Sequence, residues 1–171
     1  VSRPMNEEAT FFPRKSELSP NAGAQERQQM FELCLRDVEA GTSAFGGKSR
    51  IIGLMNMQYI SCCEADRSLT MGFPVEDWEL NPAGTMHGGM IATAVDSVMG
   101  LVSHYFSDRP FTPTISMDVN YLKPVMAGDV LEVTARIVNL GRRVCFIQSE
   151  GRRRSDGKVV VTAQGSYMTG A

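Results

Sequence analysis

Paired cysteines, histidine and long apolar runs are all scarce in this sequence, and each scarcity removes a class of protein. The four cysteines are Cys34, Cys62, Cys63 and Cys145, and no CxxC pair occurs. A chain of 171 residues can bury a sizeable core without disulfide staples. Cys62 and Cys63 are neighbours; in a strand they point to opposite faces, so no bond between them is expected. Reduced thiols and a cytoplasmic setting follow, with an organellar matrix after processing as the other option. His87 and His104 are the only imidazoles, too few to suggest a zinc site, so no metal is expected. The apolar runs fall far short of the ~20 residues that cross a bilayer, so no membrane span is expected. Residues 1–20 hold no apolar signal core. A formal net charge of −2 argues against a general polyanion binder, and nucleic acid is not an expected partner.

What is present reads as one domain with an N-terminal extension. Residues 1–22 mix charge, proline and small polar residues and predict a loosely attached arm, with Phe11 and Phe12 able to dock on a surface. Residues 23–50 predict a helix and a loop. Between Ala24 and Ala40, Met30, Leu33, Cys34 and Val38 recur at helical spacing, and Gly41 ends the run. Residues 51–171 form the main domain. Two short strands are predicted between Met57 and Phe73, with a turn near Asp66–Arg67. The run from Gly88 to Phe106 is apolar on nearly every side, as a helix buried in the middle of a fold would be. Four strands follow. Thr114 to Leu122 alternates through Ile115, Met117, Val119 and Tyr121. Val130 to Val138 puts Leu131, Val133, Ala135 and Ile137 on one face. Arg143 to Arg153 and Lys158 to Met168 flank a hairpin turn at Ser155–Asp156–Gly157. One buried helix wrapped by an antiparallel sheet is an α+β architecture.

The chemistry concentrates between Asn81 and Ser97. Asp96 sits in the middle of the apolar helix, and no Lys or Arg occurs from Gly88 to Phe106. Burying an unpaired carboxylate is expensive, so Asp96 is either functional, bonded to a neighbouring hydroxyl, or at the helix edge. His87-Gly88-Gly89 opens the helix. The first N–H groups of a helix have no internal partner and carry partial positive charge, which suits a developing oxyanion. Taken singly, Gly88-Gly89 also reads as a tight turn and His87 as a structural histidine. Gly88 and Asp96 lie eight residues apart, roughly 12 Å along a straight helix. One subunit cannot bring both to the same carbonyl carbon. Two helices running antiparallel across a two-fold axis can, which predicts a homodimer with shared sites and allows a dimer-of-dimers tetramer.

Asn81, then His87-Gly88-Gly89, then Asp96, resembles the hotdog-fold acyl-CoA thioesterases, and most closely the PaaI-like branch of the 4-hydroxybenzoyl-CoA thioesterase superfamily. The resemblance continues through Ile115 to Pro124, Ala127-Gly128-Asp129, Gly141-Arg142 and Ala163-Gln164-Gly165. It implies a hotdog fold: a curved antiparallel sheet wrapped around the helix at about 88–106, with the N-terminal helix as an extra. It implies hydrolysis of an acyl- or aryl-CoA, with coenzyme A as part of the substrate and no further cofactor. Asp96 matches the nucleophile or general base, and the Gly88 N–H the group that polarises the carbonyl. Asn81 matches an amide lining the site, His87 a loop-supporting histidine, and Ser116 a hydroxyl that helps hold water. Gly89 and Ser97 adjoin the substrate, and Gly141, Arg142 and Arg143 are candidates for the nucleotide phosphates. A departure is Gly100, where some relatives carry a threonine. Arg152 and Arg154 share a strand face and Arg153 opposes them, which fits a charged strand end. Rival expectations are a thioesterase for acyl carrier protein, a hydratase, and a non-catalytic acyl-CoA-binding protein.

Overall fold

The computed structural model describes residues 12–41, 50–107, 109 and 111–170. Its helices are α1 (Ala24–Glu39), the single turn α2 (Ile51–Leu54) and α3 (Gly88–Ser107). Its strands are β1 (Gln58–Cys63), β2 (Ser68–Pro74), β3 (Thr114–Tyr121), β4 (Val130–Leu140), β5 (Val144–Arg153) and β6 (Val159–Met168). Short 3-10 turns occupy Pro13–Glu17 and Asp77–Glu79. The six strands make one antiparallel sheet in the order β1-β2-β4-β5-β6-β3. Helix α3 lies across it, touching β2, β3, β4, β5 and β6. The sequence expectation of an α+β hotdog fold is met. Among the described residues, no helix is long and apolar enough to cross a membrane.

The core follows the two periodicities of the chain. Leu131, Val133, Ala135 and Ile137 of β4 are buried while Thr134 and Arg136 face solvent, the period-two pattern of a half-buried strand. From α3, Ile91, Ala94, Val95, Val98, Met99, Leu101 and Val102 meet that face. Fully burying one such side chain contributes ~1.5–3 kcal/mol, so this contact dominates the domain's stability.

Two local expectations are corrected. In α1 the buried stripe is Phe31, Cys34, Leu35 and Val38, whereas Leu33 is exposed and Met30 only partly buried. The spacing i, i+3, i+4, i+7 starts at Phe31, which makes the aromatic the anchor of the stripe. In β3, Met117 and Val119 pack on the core, but Ile115 is exposed. A bulge between Thr114 and Ser116 inserts one residue and reverses the parity before it.

Helix α1 covers the free edge of β1. The Gln28 side-chain amide donates to the Cys62 carbonyl at 3.0 Å and accepts from the Glu64 N–H at 2.7 Å. The Glu39 carboxylate accepts the Tyr59 N–H at 3.0 Å. These side chains stand in for a neighbouring strand and block edge-on pairing. Farther along, Phe31 stacks at 4.2 Å between centroids on Tyr105 of α3, and Phe12 meets the same ring edge-on at 5.5 Å. Phe11 lies outside the described residues. At the opposite edge of the sheet, β3 has, among the described residues, a strand neighbour only in β6.

Candidate active site

The start of α3 is built by a pinned loop. The Met86 N–H donates to the Val125 carbonyl at 2.8 Å and the His87 N–H to the Glu79 carbonyl at 2.7 Å. Glu79 is buried; its Oε2 accepts the Glu76 N–H at 2.9 Å, and desolvation holds its carboxyl above the usual carboxylate range. The Asn81 amide ties the loop together. Its oxygen accepts the Ala83 and Thr85 N–H groups, and its nitrogen donates to the Thr85 hydroxyl at 2.9 Å. Asn81 therefore spends its amide hydrogen bonds inside its own loop.

That loop presents one open donor. The Gly89 N–H donates to His87 Nδ1 at 2.9 Å, and the Met90 N–H to the His87 carbonyl at 2.8 Å. His87 thus caps the helix with both its ring and its backbone. A Cβ on Gly89 would lie 3.0 Å from Nδ1, so the bare glycine lets the ring close in. Among the described residues the Gly88 N–H has no acceptor. The Tyr121 hydroxyl, from the end of β3, donates to the Gly88 carbonyl at 3.0 Å. A cleft of about 340 Å³ opens there, lined by Asn81, Thr85, Gly88, Ile91, Tyr121 and Lys123.

Asp96 lies two turns along α3, half-buried, and is not part of that cleft. Its Oδ1 accepts two hydrogen bonds, from Tyr167 Oη at 2.8 Å and Thr114 Oγ1 at 2.9 Å. Its Oδ2 has no partner among the described residues. Tyr167 is fully buried on β6; burial first, and then the Asp96 charge, push its phenol well above the ordinary value, so it remains a donor.

The remaining expected residues spread around this frame. Ser97 Oγ bonds back to the Thr93 carbonyl at 2.7 Å. Ser116 Oγ pairs with Ser166 Oγ at 2.7 Å; ordinary strand alternation, with Met117 and Tyr167 turned to the core, puts both serines on the sheet face away from Asp96. A Cβ on Gly100 would meet nothing within 4 Å, so the helix surface beyond Asp96 is open. Gly141, Arg142 and Arg143 form the β4–β5 turn. The Thr169 N–H donates to the Arg143 carbonyl at 2.8 Å and the Thr169 hydroxyl to the Gly141 carbonyl at 3.0 Å. This anchors the turn two residues past Tyr167, at the Asp96 end of the sheet. Both arginines are exposed and have no acidic partner among the described residues. By contrast Arg152 pairs with Glu150, Arg153 with Asp156 and Arg154 with Glu132.

Sequence reasoning missed Thr114, Tyr121 and Tyr167. A tyrosine on the core-facing parity of a strand was the available signal, since a buried phenol seeks a polar partner. Thr114 left no such signal, because the bulge that turns it toward Asp96 is invisible in the pattern.

Residues 83–160 match the family described as Thioesterase superfamily. A Caenorhabditis elegans protein named as an esterase is 38% identical over 93 residues, 54% of this chain and 54% of that protein; the chain spans about half of that relative's length. Acyl-coenzyme A thioesterase 13 of Mus musculus is 30% identical over 105 residues, covering 60% of this chain and 72% of the relative. Among solved structures, a phenylacetic acid degradation-related protein of Ralstonia eutropha JMP134 superposes with a TM-score of 0.67 at 27% identity, over 81% of this chain and 98% of that one. By fold and by these likenesses the chain belongs to the thioesterase superfamily, as a PaaI-like member with the hotdog fold.

Proposed function

We propose that this protein hydrolyses an acyl- or aryl-CoA thioester to the free acid and coenzyme A, in a homodimer whose subunits share each site. The observation that carries this reading is the layout of strand β3. Thr114 at its start holds Asp96, and Tyr121 at its end holds Gly88. If two copies pair antiparallel through this edge, Thr114 of one opposes Tyr121 of the other. Asp96 then approaches Gly88 of the partner subunit. The separation of roughly 12 Å within one helix becomes irrelevant, and both groups reach one carbonyl.

The chemistry follows from the charges. The Gly88 N–H, at the positive end of α3, receives the carbonyl oxygen as it becomes an oxyanion. Asp96 Oδ2 either takes a proton from water, whose oxygen then attacks the carbonyl carbon, or attacks that carbon itself and expels the coenzyme A thiolate, giving a mixed anhydride that water cleaves to the free acid and the regenerated Asp96 carboxylate, with the water's second proton going to the thiolate. In the first route the tetrahedral intermediate collapses with loss of the thiolate, which takes up the proton from Asp96. The name of the mouse relative, an acyl-coenzyme A thioesterase, supports the substrate class. Arg142 and Arg143 offer guanidinium groups, without an acidic partner among the described residues, for the phosphates of coenzyme A. The four free cysteines support a reducing compartment, the cytoplasm being the simplest.

A hydrolysis assay on straight-chain and aryl-CoA thioesters, beside the same acyl groups on acyl carrier protein, tests the reading. Turnover of one or more CoA thioesters is expected. Asp96→Asn should keep its fold and lose ~100- to 10,000-fold in kcat with little change in KM. Near-normal kcat in a folded Asp96→Asn protein removes Asp96 from the mechanism. Turnover of carrier-protein substrates alone removes the CoA assignment.

A further inference from the structure

We propose that Tyr167 and Thr114 are positioning residues for the reaction: together they occupy Asp96 Oδ1 and leave Oδ2 as the oxygen that meets the thioester or its attacking water. This rests on Asp96 being the reacting carboxylate.

Three observations carry the inference. The first is the shared acceptor. Two hydroxyls from separate strands, β6 and β3, converge at 2.8 and 2.9 Å on a single carboxylate oxygen. One bond leaves a carboxylate free to swing about it. A second bond from another direction fixes the plane of the group as well as its position. The second is asymmetry: Oδ2 has no partner among the described residues, and the helix surface one turn on, at Gly100, is open. The filled oxygen therefore faces the strands, and the vacant one is left for chemistry. The third is the burial of the donor. The Tyr167 ring is 1% exposed and lies against bare Gly165, where a Cβ would stand 3.3 Å from the ring and 2.7 Å from the Met99 methyl. A ring locked this way sets its hydroxyl without further ordering when substrate binds.

A phenylalanine would fill the same volume, so the hydroxyl is the part that packing leaves unexplained. It also stays protonated. The titratable groups around it are Asp96 of α3 and the Cys145 thiol of the neighbouring β5; both act to raise the phenol further, as burial does. Tyr167 therefore acts as a fixed donor and is not itself an acid or base in the reaction. Hydrogen bonds to a charged acceptor are the strong ones in a protein, and here both serve an anion whose helix contains no cation.

The test compares hydroxyl deletions with Asp96→Asn in the full-length protein. Tyr167→Phe keeps the ring and should keep its thermal stability near wild type. Its kcat is expected to fall ~10- to 100-fold, the loss of one hydrogen bond to a charged group, with KM unchanged. Thr114→Val should behave likewise. Thr114→Ser should restore the kcat that Thr114→Val loses. In an Asp96→Asn background, Tyr167→Phe should have no further effect, because the group it positions is gone. Full kcat in Tyr167→Phe and Thr114→Val, beside an inactive Asp96→Asn, overturns the positioning role and leaves the proposed function standing. An active Asp96→Asn overturns the proposed function itself. Additive losses in the double variant also count against positioning, since Tyr167 would then act elsewhere. If Tyr167→Phe does not fold, the Thr114 pair carries the test, because Thr114 is exposed at a strand start and its removal spares the core.

Discussion

Helix α3 has a histidine near each end, and the two ends could hardly differ more. At the N-terminal end His87 is exposed, its ring caps the backbone, and the adjacent Gly88 N–H is left open beside a cleft. At the C-terminal end His104 is buried, and the neighbouring Tyr105 and Phe106 are packed under Phe31 of α1. Burial lowers the His104 pKa to about 4. One end of the helix is packed under α1; the other opens on a cleft. The two sheet edges repeat the pattern. Side chains of α1 cap β1, whereas β3, which carries the contacts to Gly88 and Asp96, has an uncovered side. The proposed chemistry lies at the end and edge where the extension does not pack.

The largest expected effect breaks the open end directly. Gly88→Pro removes the free N–H at a position where a helix tolerates proline, and Asp96→Asn removes the carboxylate. Each homodimer should be nearly inactive. Co-expression should yield heterodimers with one site that combines both intact halves and another that combines both defects. Recovery of activity toward half of the wild-type value per dimer is expected. Verified, folded heterodimers without recovery would show that each site lies within one subunit.

How much of this was legible beforehand depends on which interactions set each feature. Helix α3 was readable because its apolar run is local in sequence, and the structure extends it by only one residue, to Ser107. The strands were readable from alternation, as Leu131 to Ile137 shows. The face of α1 was misread because Met30 and Leu33 are apolar too; only the packing of Phe31 on Tyr105 decides which stripe is buried. The single turn α2 (Ile51–Leu54) left no periodic signal, since four residues complete barely one helical repeat. The Asp96 partners were not readable at all. Thr114 and Tyr167 are 18 and 71 residues away, joined to it by a bulge and by sheet register. Motif spacing reports what touches a ligand; it does not report what holds those residues still.

A smaller effect sharpens the closed end. The folded chain keeps His104 neutral, with a pKa near 4, while the unfolded chain protonates it below its ordinary value of 6.5. Above pH 6.5 the two states bind equal numbers of protons at this residue. As pH falls from 6.5 toward 4, only the unfolded state gains the proton, so stability is lost across that window. The loss attributable to this residue approaches ~3 kcal/mol at its lower end. Urea titrations at pH 7 and pH 4.5 should show a steeper acid loss for wild type than for His104→Leu, with other titrating groups cancelling in the difference. Identical slopes would mean that His104 is protonated, or solvated, in the folded state.

The smallest effect concerns His87 and tells its capping role from contact with substrate. Its ring nitrogen accepts the Gly89 N–H at the second position of α3, where a capping side chain is worth ~1 kcal/mol. His87→Ala should lower stability by about that amount and, by loosening the turn, reduce kcat modestly. Asparagine is among the best N-capping residues and its side-chain oxygen can replace the imidazole nitrogen. His87→Asn should therefore recover both stability and turnover. This exposed imidazole would then differ from the buried one only in what it holds: a helix start in one case, a core in the other. Stability recovered without turnover in His87→Asn would instead place the ring on the substrate carbonyl. An alanine variant as stable as wild type would remove the cap and leave Gly88 positioned by Tyr121 and the Glu79 carbonyl alone.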